Sequence, residues 1–394
     1  MPEITFSLAT VDPGYQSQLL YALRFASEAI ENARVHAGQL LVTHAAGTDP
    51  DEVRRKVDKL VQRYAKREFG FKEVIHFENR RPTRNSDVYA ELLRRRWVTP
   101  VGQGHMILRG EAARLWAFLD ARFQRDFAVP LGAELEVYPA TIACTTLDRV
   151  AHFTSFPEHI DFVSHIREDV DLLAGFAGRC RDQGWKPSHH DGVMDQVEFA
   201  ISPSCCYHCY EGMEGQDLAK PGRTTTMVVN CHRYEAGNLT TLSRLRSFHM
   251  REVVWVGHPE FVKAGRAEAD RRIVELARHW DLDCTYENAN DMFFTDDYSV
   301  KASFQRQQEA KRELRMTIPQ EGRSIAVFSS NFHAGTFAKA FQITVAGRPA
   351  VSACVGWGYE RWVYALYSQF GLDSEEWPAH LRDEYRAFCA GSKP

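Results

Sequence analysis

The sequence predicts an α+β fold, with an antiparallel sheet flanked by helices and a small α/β appendage at its N-terminus. Three observations carry this expectation. Strand-like stretches cluster in hairpins across residues 195–257 and return at 323–330 and 340–355, the order antiparallel pairing favours. Helical stretches border them at about 111–127, at about 260–280, and from Tyr359 onward. The opening residues differ, with a β-α-β-α-β order.

In chain order, residues 3–10, 39–45 and 73–78 read as the strands of the appendage. Helices are expected over roughly 15–36 and 50–67, the second opening at Asp49-Pro50-Asp51-Glu52 with acids in its first turn. An arginine-rich stretch with Arg80, Arg81, Arg84, Arg94, Arg95 and Arg96 marks the junction. It divides the chain into an accessory domain, 1–95, and a main domain, 96–394. The stretch suits a solvated linker first, and after it a docking surface for an acidic partner, either RNA or an acidic carrier protein. In the main domain a helix at 111–127 leads to a strand ending at Pro139, and a charged helical segment covers 260–280 and 300–315.

The chain has 394 residues, 44% hydrophobic and 25% charged, the profile of an ordinary globular protein. Its net charge of −4 gives no global electrostatic case for nucleic-acid binding. The start Met1-Pro2-Glu3-Ile4 has no leader-like pattern, and no run of apolar residues is long enough to span a bilayer. Nine scattered cysteines fit reduced thiols, some on a metal, and a cytoplasmic location with no membrane partner.

The first chemical signal is a strand-loop-strand at 224–257. Side chains alternate faces along a strand, so Arg233 shares a face with Glu235, and Phe248 with Met250 and Glu252. A guanidinium, a carboxylate and a ring over one surface suit a nucleotide; they also suit a charged sheet face with cross-strand ion pairs. The second signal, Gly356-Trp357-Gly358-Tyr359-Glu360-Arg361, reads as a strand, a turn and a helix. Arg361 falls in the first helical turn, where a cation opposes the helix dipole. A bound phosphate justifies it there, and so does a nearby carboxylate. The sequence has neither a phosphate-binding P-loop nor a strand-linked Gly-x-Gly-x-x-Gly.

Arg233-x-Glu235, a loop, then Arg244-x-x-x-Phe248 resembles motif 2 of the class II aminoacyl-tRNA synthetases. Gly356-x-Gly358-x-Glu360-Arg361 resembles their motif 3, and the strand ending at Pro139 their motif 1, a dimer-interface element. Cys205-Cys206-Tyr207-His208-Cys209, Arg251-Glu252 and Cys354 resemble the zinc-dependent branch of that class. This branch contains the atypical seryl-tRNA synthetases of methanogens and the amino acid:[carrier protein] ligases. Phe153-Thr154-Ser155-Phe156-Pro157, Asn290-Asp291-Met292-Phe293-Phe294 and Trp377-Pro378 resemble the ligases, and Ser329-Ser330-Asn331 the seryl-type enzymes. The acid that many seryl enzymes carry before that last segment has no counterpart in Ile325-Ala326-Val327-Phe328.

The resemblance implies zinc held by Cys206, Glu252 and Cys354, with a position left for the substrate amine. Cys205 is an alternative to Cys206. Cys206-x-x-Cys209 also fits half of a structural zinc site, and all of these cysteines fit plain burial. His189-His190-Asp191 has metal-type side chains but reads as a solvated turn. By the same resemblance Arg233 and Arg361 are catalytic, and Arg233, Glu235, Arg246, Phe248 and Arg361 bind ATP; Glu252 and Asn331 bind the amino acid. The implied reaction activates glycine, alanine or serine with ATP and magnesium. The product passes to the phosphopantetheine arm of an acyl or peptidyl carrier protein, from a homodimer. The chain's acidity and length weigh against tRNA as the acceptor.

Overall fold

The structure is a computed structural model that describes residues 2–65, 73–80, 87–235, 239, 241–289 and 310–391. Its first unit contains β1 (Glu3–Ser7), α1 (Gln16–Leu23), β2 (Ile30–His36), β3 (Gln39–His44) and α2 (Pro50–Ala65). The three strands pair antiparallel in the order β1-β3-β2. Asp49 accepts from the Asp51 amide at 3.0 Å at the start of α2. Val53, Val57, Leu60, Val61 and Tyr64 recur at helical spacing and are buried. They share a core with Ile4, Phe6, Leu19, Leu23, Leu40 and Val42.

Two expectations for this region need correction. Residues 15–36 are not one helix: α1 stops at Leu23, and residues 30–36 form β2, joined to β3 by the two-residue turn Ala37-Gly38. Both turn residues have positive φ, 49° and 74°, the geometry whose twist matches a tight hairpin. Strand 73–78, expected in the appendage, pairs instead with a strand of the main sheet.

The main unit is ordered as β4 (Val74–Glu78), α3 (Val88–Arg94), α4 (Gly110–Phe123), β5 (Glu134–Leu135), α5 (Tyr207–Gly212), β6 (Gly222–His232), β7 (Ser247–Gly257), α6 (Pro259–His279), β8 (Cys284–Asn288), β9 (Lys311–Ile318), β10 (Arg323–Ala334), β11 (Val351–Gly358), α7 (Tyr359–Phe370) and α8 (Ala379–Gly391), with shorter elements between. Eight strands form one sheet in the order β4-β8-β9-β10-β11-β7-β6-β5. Every ladder is antiparallel except β5 on β6, so the sheet is mixed only at that edge. Residues 311–315, expected in a helix, lie in β9; 300–309 and the segment 290–294 lie outside the described residues.

Strand alternation separates the two faces of the sheet. Val253 and Trp255 of β7, with Ala353, Val355 and Trp357 of β11, pack against α4, α6 and α7. Val254, Val256 and Cys354 point the other way, into a second core with Cys206, Tyr207 and Tyr210 of the α5 segment. The candidate site residues Cys206, Glu252 and Cys354 lie on this second face. Gly265 lets α6 approach the first face: a Cβ there would lie 2.3 Å from Nε1 of Trp255.

Candidate active site

The pairing of β7 with β11 sets the heart of the site. Glu252 lies opposite Gly356 and Val254 opposite Cys354, so Glu252 and Cys354 are diagonal neighbours on one face. Cys206 enters from the residue just before α5. The two thiols and a Glu252 oxygen all lie within 4.8 Å of one another, and all three residues are buried. Among the described residues no other group of three His, Cys, Asp or Glu side chains converges this way. His190 and Asp191 lie 3.7 Å apart and exposed, while His189 is buried, its Nδ1 3.8 Å from Sγ of Cys180, so the three do not converge on one point and the turn is only partly solvated.

Two thiols and a carboxylate are a donor set suited to zinc with a position open. Among the described residues, Oε2 of Glu252 is buried and lacks a hydrogen-bond partner. A Cβ at Gly356 would lie 3.2 Å from Cγ of Glu252 and 3.0 Å from Cε of Met250, so the glycine leaves the carboxylate room. Burial pushes the Glu252 carboxyl up to about 7, against the pull of Arg233 and of hydrogen bonds to Cys206 and Cys354. The Cys354 thiol is raised by its hydrogen bond with Cys206 and by burial. Asn331 Nδ2 and His333 Nε2 each lie 3.6 Å from Sγ of Cys354, and Ser204 Oγ lies 3.5 Å from Sγ of Cys206. These residues fit a zinc ion. Cys205 faces away, 3.5 Å from Cys231, and Cys209 contacts Thr225 at 3.2 Å.

The β6–β7 hairpin brings the nucleotide-type residues beside this cluster. Cys231 pairs with Phe248, which places Arg233 just beyond the ladder on the same face. The Arg233 guanidinium sits 5.5 Å from the Phe248 ring centre and donates from Nε to the Pro203 carbonyl at 2.7 Å. Glu235 is buried and held by Arg244 at 2.9 Å. Arg246 is bound by Asp161 through Nε at 2.9 Å and lies over Tyr234. Arg361 donates from Nε to the Ser243 carbonyl at 2.9 Å and from Nη1 to the Ala326 carbonyl at 3.1 Å. Burial pulls its pKa down to about 10, partly offset by Glu235. The structure thus gathers Arg233, Glu235, Phe248, Glu252, Asn331, Cys206 and Cys354 around one sheet face, while Arg246 is occupied by Asp161 and Arg244 reaches Glu235.

Some residues here had no sequence signal. Among the described residues both carboxylate oxygens of Glu158 are buried without a hydrogen-bond partner, with Nε2 of His159 4.0 Å from one of them, and burial followed by Glu235 lifts its pKa to about 7. His152, in the same stretch, bonds the Tyr207 hydroxyl at 3.0 Å through Nδ1. Burial first, then His159 and Arg233, drop its pKa to about 3. Tyr21 and Arg24 reach this region from the first unit. Glu158 and His152 flank the Phe153–Pro157 segment, which hinted at the region without naming a role.

No family model matches the sequence. The chain is 29% identical over 255 residues to amino acid–[acyl-carrier-protein] ligase 1 of Bradyrhizobium diazoefficiens, covering 64% of this chain and 76% of the relative. It is 23% identical over 309 residues to the type-2 serine–tRNA ligase of Methanococcus aeolicus; that match takes in 76% of this chain but only 59% of the relative's length. Among solved structures, the M. kandleri SerRS in complex with A. aeolicus tRNASec superposes with a TM-score of 0.73 at 21% identity, covering 100% of this chain and 78% of that one. With the sheet order, hairpin and helix described above, these likenesses show a chain similar to the amino acid–[acyl-carrier-protein] ligases and type-2 serine–tRNA ligases, with the class II aminoacyl-tRNA synthetase fold.

Proposed function

We propose that this protein is a ligase that activates glycine, alanine or serine with ATP and transfers the aminoacyl group to the phosphopantetheine thiol of a carrier protein. The observation that carries this reading is the buried Cys206–Glu252–Cys354 cluster on the same sheet face as Arg233 and Phe248. The stronger resemblance to the ligase, 29% identity over 76% of its length, supports the carrier as acceptor.

Zinc held by Cys206, Glu252 and Cys354 would supply a Lewis-acidic position for the neutral α-amine of the substrate. Asn331, donating toward Cys354, steadies that thiolate and lines the amino-acid side. Arg233 is set to bind the α-phosphate: its side chain is held over Phe248 and by the Pro203 carbonyl, so little ordering remains when ATP arrives. Phe248 and Arg361 hold the base, and Glu235, released from Arg244, accepts from its amine. Magnesium enters with ATP as part of that substrate. A carboxylate oxygen of the amino acid attacks the α-phosphorus in line. The bond to the bridging oxygen breaks, and pyrophosphate leaves with its electron pair. Fixed guanidinium charges stabilise the phosphoryl oxygens through this step. The acceptor thiolate then attacks the carbonyl carbon, and AMP leaves.

A second reading, seryl transfer to tRNA, is favoured by the whole-chain superposition on an enzyme solved with tRNA. Amino-acid-dependent ATP–pyrophosphate exchange across the twenty amino acids, with and without chelator, tests activation before any acceptor is known. Exchange with one or two small amino acids, lost on chelation, is expected. Holo-carrier protein and tRNA then serve as competing acceptors, with aminoacyl thioester expected. Charged tRNA alone would establish the second reading, and absent exchange would sink both.

A further inference from the structure

The first unit reaches into the nucleotide side of the site. Tyr21 and Arg24 lie three residues apart where α1 ends, and so share one face of its last turn. The buried ring of Tyr21 lies under the Arg244 guanidinium, 5.5 Å from its centre, and Phe25 meets Tyr234 edge-on at 6.4 Å. Arg244 holds Glu235 at 2.9 Å, and the neighbouring Ser243 carbonyl accepts from Arg361. Arg244 and Arg361 are therefore linked through a short run of contacts, and Arg24 stands on the helix turn whose Tyr21 ring meets Arg244, close enough to feel its charge.

Among the described residues Nη1 of Arg24 is buried without a hydrogen-bond partner, and burial together with Arg244 weakens the hold on its proton. A buried donor of a charged group left unpaired beside a second cation is costly, and an arriving anion relieves that cost. Among the described residues Glu235 offsets it only in part. Glu235 is bonded to Arg244, and Glu313 near Arg361 is taken by Lys311 at 3.3 Å and Arg315 at 2.9 Å. Glu158, with a pKa near 7, carries only part of a charge at neutrality. The positive surplus asks for a ligand with more than one negative charge, and the terminal phosphates of ATP meet that need.

We propose that Arg24 is a phosphate-binding residue of this site which, together with Arg244 once Glu235 is released to the base, holds the terminal phosphates of ATP. The N-terminal unit thus completes the nucleotide site of its own chain. This rests on the activation reading above.

The test is calorimetric titration of the full-length, zinc-replete protein with ATP and with AMP, for wild type, Arg24→Gln and Arg24→Lys. Losing one charge-assisted contact should weaken ATP by about tenfold and leave AMP unchanged, with Lys recovering part of the loss. In pyrophosphate exchange, KM for ATP should rise while kcat changes little. Unchanged ATP affinity, or equal losses for ATP and AMP, overturns the proposal; so does normal ATP binding with slowed transfer to the acceptor. Failure of the wild type to bind ATP would instead remove the activation reading, and this inference with it.

Discussion

Cys206 is distinguished from Cys205 by one step along the chain. Cys205 lies inside the core against Cys231, while Cys206, immediately before a helix, turns its sulfur toward Glu252 and Cys354. Burial of Glu252 between two thiols leaves one oxygen without a partner among the described residues, an arrangement a cation resolves. Cys206→Ser and Cys354→Ser should each lose most bound zinc by elemental analysis and, with it, amino-acid-dependent exchange. Cys205→Ser should keep both. Full zinc occupancy in the first two variants would remove the ligand assignment whatever the activity.

Two elements, α6 and α7, hold the sheet that carries the site. Glycine inside a helix costs about 1 kcal/mol relative to alanine, so Gly265 in α6 needs a structural reason, and Trp255 supplies it. Gly265→Ala should destabilise by about 1–3 kcal/mol in denaturant titration, because ring and helix must separate; a stabilised variant would contradict this packing. In the first turn of α7, buried Glu360 binds the His249 ring at 2.7 Å and its amide at 3.0 Å, tying the motif helix to the motif hairpin. Burial alone would lower the His249 pKa, but Glu360 wins and raises it. A raised histidine contributes stability that is fully present below its unfolded value of about 6.5 and is lost as pH climbs through the folded value. The gap in melting temperature between wild type and Glu360→Gln should therefore be wider at pH 5.5 than at pH 8.5. A gap that grows with pH would show that the pair does not act this way.

For the whole molecule, no described helix is long and apolar enough to cross a membrane. Apolar side chains stand exposed where motif 1 is expected: Val129 at 73%, Leu135 at 63% and Val137 at 89%. They lie at and beside the parallel edge strand β5, and we propose that a second copy of the chain covers them. Light scattering should give twice the monomer mass, and Val137→Asp should shift it toward the monomer. A monomeric wild type would leave the resemblance to motif 1 without its dimer.

The division between sequence and structure follows the range of the physics. The hairpin around Arg233 and Phe248 and the turn into Arg361 were legible in the sequence because strand alternation and helix starts are local patterns, readable within about a dozen residues. The antiparallel sheet followed from the same hairpins. The end of α1 and the strand at 30–36 were misread because a two-residue Ala37-Gly38 turn is a weak local signal beside the helix-favouring residues before it. The strand at 74–78 was placed in the wrong sheet because its pattern names a strand but not its partner. Cys206 and Cys354 were paired only through resemblance, since nothing local joins positions so far apart. The choice of Cys206 over Cys205, the orphaned carboxylate of Glu158, and the arrival of Tyr21 and Arg24 beside Arg244 are tertiary facts. Burial and the loss of hydrogen-bond partners are properties of what surrounds a side chain, and that surrounding is assembled only when distant segments pack.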